Sequence, residues 1–351
     1  KAAPAKAAEE KYASLQVQDE KIYAETHTLS AVIDKGFITT LQSKRTGESF
    51  LPHVDVSETA ALQLIYSNDQ AVPIDASKFG NSVTTALSAT RAEITFHSWD
   101  GDGIITVSVD AQSGDLLIEP SAFSSRPGVR ACRWNMHGFR TDLELVAPFF
   151  QGIKLKIDDP LIKNTHWPWP MYWEAGLVIL QSQKGGFWLH TQDEHFRYKA
   201  LHVGAPTEAT CLGFDSEAYG PIDENKSAGG VVWRLNVFED DWTVPAEHYR
   251  QWLWRAYQLD DEERRRRPWI RDISFAVSWC PTDVDVLRAI AKKLDPGRVL
   301  LHIPNWRTDP YDENYPNYIT SDAARAFIRQ GQDMGFHLLP HFNAVDKACE
   351  N

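Results

Sequence analysis

The chain has 351 residues, of which 43% are hydrophobic and 24% charged, a composition that suits a soluble globular protein of more than one domain and excludes a disordered chain. No run approaches the roughly 18 to 20 uninterrupted apolar residues of a membrane helix, so a spanning protein is excluded. The 36 Lys and Arg against 48 Asp and Glu give a formal net charge of −12, which argues against nucleic acid as a partner.

Residues 1–20 are predicted to be an N-terminal tether, because they open with a low-complexity run of Ala, Lys and Pro. From residue 21 to residue 243, short alternating runs of β-branched or aromatic residues are separated by turn residues. This pattern predicts a large β domain, a β-sandwich. Its predicted strands include Lys21–Thr28, Ser30–Asp34, Phe37–Ser43, Arg91–Trp99, Ile104–Asp110 and Asp115–Glu119.

The pattern changes after Trp242. Pro245 stands where a helix would start, apolar residues follow at helical spacing, and a charged stretch continues to Arg267. Residues 244–267 are therefore predicted to be a linker helix between two domains. The basic run Arg264–Arg267 follows the acidic run Asp260–Glu263, so we interpret it as the solvated end of this helix rather than a polyanion site.

Beyond Pro268 the sequence alternates strands with helices, which predicts parallel βαβ units. A complete (β/α)₈ barrel takes about 250 residues, so we expect residues 268–351 to be about three βα units of a TIM barrel that continues beyond this chain. A small open α/β sheet is the alternative. The predicted elements are Ile273–Trp279, Asp283–Leu294, Arg298–Pro304, Ser321–Met334 and Phe336–Phe342.

The cysteines lie far apart and form no metal-binding pattern, so we expect no metal site made from them and favour buried free thiols. One or two disulfides in an oxidising compartment remain the alternative, with a pairing that the sequence does not decide. A calcium ion held by Asp309, Asp312 and Glu313 is a weaker possibility. The four cysteines are Cys132, Cys211, Cys280 and Cys349.

Three segments carry a resemblance to a known superfamily. Residues 29–41 with Arg45-Thr46-Gly47 resemble the start of a galactose-mutarotase-like β-sandwich. Asp241-Trp242 with Tyr249-Arg250-Gln251-Trp252 resembles the linker that joins such a sandwich to a barrel. A third set is similar to strands two and three of the barrels of endo-α-N-acetylgalactosaminidases and α-galactosidases: Asn305-Trp306, Tyr311-Asp312, Tyr315–Tyr318, Gly335–His337 and His341–Asn343.

This resemblance implies a glycoside hydrolase built from a sandwich and a (β/α)₈ barrel. In that superfamily the nucleophile and the acid/base are carboxylates on the fourth and later barrel strands. We therefore expect the catalytic pair to lie beyond the end of this chain, and we transfer no catalytic residue.

Substrate contacts are expected at the carboxyl ends of the predicted parallel strands, because the loops of a barrel converge there. Aromatic rings pack on the apolar faces of sugars, and carboxylates and amides bind hydroxyls. Three of the candidates listed below also have a purely structural alternative: Trp279 as a core residue, Asp309 as a turn former and His341 as a buried imidazole. The candidates are Trp279, Trp306, Asp309, Asp312, His341 and Asn343.

The sandwich adds Trp167 and Trp169 as candidate walls of the sugar pocket, within the most aromatic segment of the chain. Packing of both rings at a domain interface is the alternative. No G-x-S-x-G elbow, G-x-G-x-x-G fingerprint or P-loop occurs, so we expect no organic cofactor.

The sequence thus predicts a secreted, periplasmic or cell-surface glycoside hydrolase that cleaves O-glycosidic bonds in a carbohydrate substrate. A non-catalytic carbohydrate-binding protein and a sandwich-containing epimerase or lyase are the alternatives. The sugar, the linkage, the stereochemical outcome and the oligomeric state are left open by the residues.

Overall fold

The computed structural model of the protein describes residues 11–52, 54, 60–74, 82–97, 100–205 and 210–343. The chain divides into two compact units, the first ending at Tyr257 and the second beginning at Gln258. The start of the predicted tether, residues 1–10, lies outside the described residues. Among the residues that are described, no helix combines the length and the apolar character needed to cross a membrane.

Antiparallel strands make up most of the first unit. Their order along the chain is β1 Ala13–Gln18, β2 Lys21–Thr26, β3 Leu29–Asp34, β4 Phe37–Ser43, β5 Leu62–Tyr66, β6 Ala71–Ile74, β7 Ser82–Ser88, β8 Arg91–Phe96, β9 Gly101–Val109, β10 Leu116–Ser124, β11 Val129–Met136, β12 Glu144–Ala147, β13 Ile153–Lys156, β14 Thr165–Pro168, β15 Leu177–Gln181, β16 Gly185–His190, β17 Lys199–Gly204, β18 Cys211–Glu217, β19 Ser227–Gly229 and β20 Trp233–Glu239. A short 3₁₀ helix, Ile222–Glu224, precedes β19.

Three sheets are formed by these strands. Strands β1 to β4 form an antiparallel meander. A ten-stranded sheet has the order β13-β12-β15-β16-β20-β10-β9-β8-β7, with β19 also paired to β10. A six-stranded sheet has the order β14-β17-β18-β11-β5-β6.

Strand β1 corrects the predicted tether 1–20. Ala13 pairs with Thr26 and Gln18 with Lys21, so residues 13–18 belong to the first sheet. Leu15 is only 4% exposed, because its side chain lies on the inner face of an alternating strand. The structured chain therefore begins before residue 21.

The six-stranded and ten-stranded sheets share one apolar core and so form a β-sandwich. Phe214 of β18 contacts Trp233 of β20 at 5.2 Å between ring centroids, across the space between the sheets. Trp134 of β11 is buried in the same core and donates its indole N–H to the carbonyl of Gly36 at 3.0 Å. This bond satisfies a buried donor and ties the core to the turn between β3 and β4.

Helix α1, Thr243–Ala256, covers the outer face of the ten-stranded sheet. Its buried Tyr249 and Trp252 pack in a cluster that contains Trp188. Gln258 has φ 52°, a left-handed conformation that interrupts the helix, and helix α2 then runs over Leu259–Arg265. The segment 244–267, predicted to be one helix, therefore contains two helices that fall in different units.

The second unit contains the parallel strands that the sequence predicts, with pairs β21–β22 and β22–β23. Its strands are β21 Phe275–Val277, β22 Val299–Ile303 and β23 His337–Pro340. Its further helices are α3 Pro268–Asp272, α4 Val284–Ala291 and α5 Asp322–Asp333, with a 3₁₀ turn at Pro296–Arg298.

Helices α4 and α5 cover one face of the parallel sheet. Leu301 of β22 is fully buried there with Leu287 of α4 and Phe327 of α5. The carboxylate of Asp283 and the hydroxyl of Ser321 accept backbone N–H groups at the starts of α4 and α5, as helix N-caps do. Side chains alternate along β22, so His302 lies on the sheet's other face.

Candidate functional site

An aromatic cluster lies at the carboxyl edge of the parallel sheet. Trp279 follows β21 by two residues, is 55% exposed, and has a left-handed φ of 57°. The ring of Tyr311 lies 4.8 Å from that of Trp279, and the ring of His302 lies 6.2 Å from it, edge to face. These contacts hold an exposed indole against neighbouring aromatic rings.

Two histidines extend this cluster. Nε2 of His302 lies 3.1 Å from Nδ1 of His341, and the backbone N–H of Trp279 donates to Nδ1 of His302 at 3.4 Å. The ring of Tyr311 lies 5.4 Å from that of His341. Trp279, His302, Tyr311 and His341 are called the rim cluster below.

Buried aromatic residues support the rim cluster. Trp306 is 5% exposed and donates its indole N–H to the backbone carbonyl of His341 at 2.7 Å. Its ring stacks on Tyr318 at 6.1 Å, and the hydroxyl of Tyr318 donates to the carbonyl of Asn343 at 2.6 Å. Phe342 packs against Trp306 at 5.0 Å while remaining 59% exposed. Trp306 and Tyr318 therefore fix the main chain that carries His341 and Asn343.

The predicted carboxylates after β22 brace their own loop. Asp309 accepts hydrogen bonds from the side-chain amides of Asn314 at 3.3 Å and Asn317 at 2.5 Å. Asp312 accepts a hydrogen bond from the hydroxyl of Tyr315 at 3.1 Å. Both side chains thus have partners in the segment 309–317.

Arg307 also stabilises this loop. It is 7% exposed and donates to the carbonyls of Pro310, Glu313 and Asn317, each at 2.9 Å. Its guanidinium also lies 4.2 Å from the centroid of the Tyr315 ring. The loop is consequently held by charged and polar side chains of its own residues.

The two sandwich candidates have different surroundings. Trp167 is 1% exposed and stacks on Phe149 at 4.3 Å, so its ring is enclosed by the sandwich core. Trp169 lies under the ammonium of Lys199, 3.9 Å from its ring centroid. Burial lowers the pKa of Lys199, although the carboxylate of Asp193 at 3.0 Å opposes this effect.

A second group of polar side chains lies on the face of the six-stranded sheet that points away from the core. Arg133 of β11 forms a two-pronged ion pair with Asp215 of β18 at 2.6 and 2.8 Å, and Asp215 has no exposed surface. His166 of β14 approaches Asp215 at 3.8 Å and Glu217 at 3.5 Å. His202 of β17 lies beside His166, with 6.1 Å between the ring centroids. These five residues are called the sandwich polar cluster below.

A cavity of about 240 Å³ opens over part of the sandwich polar cluster, lined by Arg133, His202, Gln63, Asn135 and Asn164 among others. A Cβ atom at Gly213 would lie 2.6 Å from Cδ of Arg133, so glycine makes room for the guanidinium. Burial, assisted by the nearby Arg133, lowers the pKa of His202 to about 4. His202 is therefore neutral near pH 7, and its buried Nδ1 has no hydrogen-bond partner among the described residues.

Within the described residues, His166, Asp215 and Glu217 are the group whose potential metal-ligand atoms lie within 4.8 Å of one another. Both oxygens of Asp215 are already occupied by Arg133, which opposes a cation at that position. The described cysteines, Cys132, Cys211 and Cys280, are buried free thiols, and Cys349 lies outside the described residues. Burial raises the pKa of Cys211 to about 12, so its thiol stays protonated.

Comparisons with known proteins address the fold. Residues 230–347 match the model of a family described as Domain of unknown function (DUF6259), which spans less than half of the chain. A comparison with curated protein sequences finds no match.

Among solved structures, the ligand-free α-N-acetylgalactosaminidase NagBb from Bifidobacterium bifidum is similar, with a TM-score of 0.62 and 13% identity, over 93% of this chain and 58% of that one. Its GalNAc complex has a TM-score of 0.60 at the same identity and coverage. The GH36 α-galactosidase AgaB from Geobacillus stearothermophilus gives 0.42 and 9% identity, over 94% of this chain and 56% of that one. This chain therefore spans less than two thirds of the length of NagBb.

The structure connects three sequence-predicted residues at the sheet edge. Trp279 and His341 both contact Tyr311, and Trp306 bonds the backbone of His341. Sequence reasoning missed His302, and it named Tyr311 among the residues that carry the resemblance but not as a candidate sugar contact. His302 is the one polar residue in the apolar strand β22, and it therefore marks the face of the sheet that is not covered by α4 and α5. It also missed the sandwich polar cluster, whose members come together through cross-strand pairing.

Proposed function

We propose that this protein is a carbohydrate-active enzyme of the glycoside hydrolase type, and that the rim cluster binds a sugar unit of its substrate. The observation that carries the proposal is an exposed tryptophan, Trp279, beside Tyr311 and His341 at the carboxyl edge of a parallel sheet. An indole packs on the apolar C–H face of a sugar ring, while the neighbouring hydroxyl and imidazole groups exchange hydrogen bonds with sugar hydroxyls.

The position of the cluster supports this proposal. In open parallel sheets and in barrels alike, ligands bind at the carboxyl ends of the strands. We propose that β21 to β23, with α4 and α5, form the first part of a (β/α)₈ barrel. The similarity in fold to NagBb, an α-N-acetylgalactosaminidase, makes N-acetylgalactosamine the first sugar to test, and galactose is the comparison sugar that lacks the acetamido group.

Hydrolysis of a glycosidic bond requires two carboxyl groups on either side of that bond. Asp309 and Asp312 are engaged by amide and phenol donors of their own loop, so we assign neither of them to catalysis. Their proposed role is to hold the loop that presents Tyr311. Asn343, whose backbone is fixed by Tyr318, is proposed as a further polar contact to the sugar.

Two measurements on the full chain test this function: calorimetric binding of N-acetylgalactosamine and methyl α-galactoside, and turnover of aryl α- and β-glycosides. Trp279→Ala should weaken binding about 10-fold, the equivalent of about 1.4 kcal/mol. Trp254→Ala removes a tryptophan of α1 that lies under Arg250 and serves as the matched control. Unchanged binding in Trp279→Ala, or an equal loss in the control, would contradict the proposal.

A second candidate function is favoured by the sandwich polar cluster. His202 lines a cavity that is small enough for a single sugar, and His166 and Glu217 add donor and acceptor atoms to the same cluster next to His202. We therefore keep sugar binding or epimerisation on the sandwich as the alternative to hydrolysis. Polarimetry of freshly dissolved hexoses tests it, with Glu217→Gln expected to abolish any acceleration of mutarotation that the wild type shows.

A further inference from the structure

A chain of hydrogen bonds fixes where the protons sit in the rim cluster. The backbone N–H of Trp279 can only donate, and it faces Nδ1 of His302 at 3.4 Å. Nδ1 of His302 must therefore be the unprotonated nitrogen of a neutral ring. The single hydrogen of that ring is left on Nε2.

The same logic extends to the next ring. Nε2 of His302 lies 3.1 Å from Nδ1 of His341, so a hydrogen on the first nitrogen requires the second to accept. In neutral His341 the hydrogen is consequently on Nε2. Among the described residues that N–H has no acceptor, and His341 is only partly buried.

We propose that His302 is a positioning residue that holds His341 as a hydrogen-bond donor through Nε2, and that this donor binds an acceptor oxygen of the sugar. The inference rests on the proposed function, since the sugar is the one expected to stack on Trp279. The donor is held firmly, because the backbone N–H of His341 bonds the carbonyl of Ile303 at 2.9 Å and its own carbonyl accepts from Trp306.

A donor at this position selects the class of substrate. A hydroxyl or an acetamido carbonyl can accept its hydrogen, whereas the ammonium of a free amino sugar carries only donors. The expected ligands are therefore neutral or N-acetylated sugars. Because the ammonium of galactosamine cannot accept this hydrogen, galactosamine should bind less tightly than galactose or N-acetylgalactosamine.

The protonation pattern can be measured without any sugar. Long-range ¹H–¹⁵N correlation spectra of the full chain at about pH 8.5, where ordinary histidines are neutral, distinguish protonated from bare ring nitrogens. The expected result is a bare Nδ1 and a protonated Nε2 in both His302 and His341. A protonated Nδ1 on His341 would overturn the positioning role whatever the protein binds.

Binding variants then test the contact to the sugar. His341→Phe should weaken binding of methyl α-galactoside about 2- to 13-fold, the range for one net hydrogen bond, and should reduce the discrimination against galactosamine. His302→Phe should weaken binding in the same direction. His302→Gln should restore it, because the amide can accept from Trp279 through Oε1 and donate to His341 through Nε2.

The outcomes separate the two proposals. Wild-type binding with no effect of His341→Phe would overturn the donor role and leave the proposed function standing. Equal loss in His302→Phe and His302→Gln would show a merely structural role for His302 and would overturn the positioning role. Absence of sugar binding in the wild type would overturn the proposed function together with the sugar contact, and the spectra would then decide the protonation pattern alone.

Discussion

The buried ion pair between Arg133 and Asp215 should govern the stability of the sandwich in a specific way. Asp215→Ala would leave the guanidinium of Arg133, itself 7% exposed, without its bidentate partner. Burial opposes the charge of Arg133, and Asp215 more than offsets this, so the pKa of Arg133 is raised. Removal of the carboxylate therefore leaves a buried cation without a counter-charge, and the desolvation of that cation lowers the free energy of unfolding.

Breaking a buried pair from one side costs about 3–5 kcal/mol. Glu217, which also attracts Arg133, remains after the substitution and should place the loss near the lower end of that range. For a unit of this size, about 2–4 °C of melting temperature correspond to 1 kcal/mol, so a loss of about 3 kcal/mol should lower the melting temperature by roughly 6–12 °C. Replacing both partners, as in Arg133→Met with Asp215→Leu, should cost far less than the single change, because no charge is left buried.

Differential scanning calorimetry and urea unfolding of the full chain measure these losses. The matched control is Asp142→Asn, which breaks the exposed pair with Arg140 and should cost no more than about 1 kcal/mol. A loss below about 1 kcal/mol in Asp215→Ala would refute the argument from burial. A double variant as unstable as Asp215→Ala would show that shape, rather than charge, sets the cost.

Three further predictions concern stability. Burial lowers the pKa of His190 to about 3, so this side chain takes up its proton in the unfolded state first as the pH falls from about 6.5. The free energy of unfolding should therefore decrease between about pH 6.5 and about pH 3. His190→Phe should make the free energy of unfolding less dependent on pH in this range, as measured by urea titrations at several pH values. Phe327→Ala empties a site that is 1% exposed and should destabilise the second unit by about 3–5 kcal/mol in calorimetry, whereas Arg329→Ala on the exposed side of α5 should have little effect. Ser321→Ala removes the N-cap that accepts from Ala324, and should cost about 1 kcal/mol by urea unfolding, with Ser321→Asp restoring it.

The alternation of strands and helices in the second unit could be predicted from sequence because each element carries its own local signal. The apolar run that predicts β22 and the N-cap residues Asp283 and Ser321 that predict the starts of α4 and α5 each lie within a stretch of a few residues. Strand β1 carried the same kind of signal, with Ala13, Leu15 and Val17 alternating with polar residues, and the composition of the preceding residues obscured it.

The sandwich polar cluster could not be predicted in the same way. Arg133 and Asp215 are 82 positions apart and meet only because β11 and β18 pair in one particular register. A weaker local signal exists in β18, where Leu212 and Phe214 alternate with Gly213, Asp215 and Glu217. Such alternation marks a strand with one polar face, but it does not reveal which other strands contribute to that face. The interruption of the helix at Gln258 is likewise set by a left-handed backbone conformation that its residue type does not require.

The left-handed backbone at Trp279 means that this large residue occupies a place where glycine or asparagine would fit with less conformational cost. That cost is about 1–2 kcal/mol for a residue that, unlike asparagine, forms no local side-chain hydrogen bond in this conformation, and the indole is too exposed to recover it through burial in the core. Trp279→Asn should therefore raise the melting temperature of the second unit while removing the flat surface offered to a ligand. Stability and recognition favour different residues at this one position.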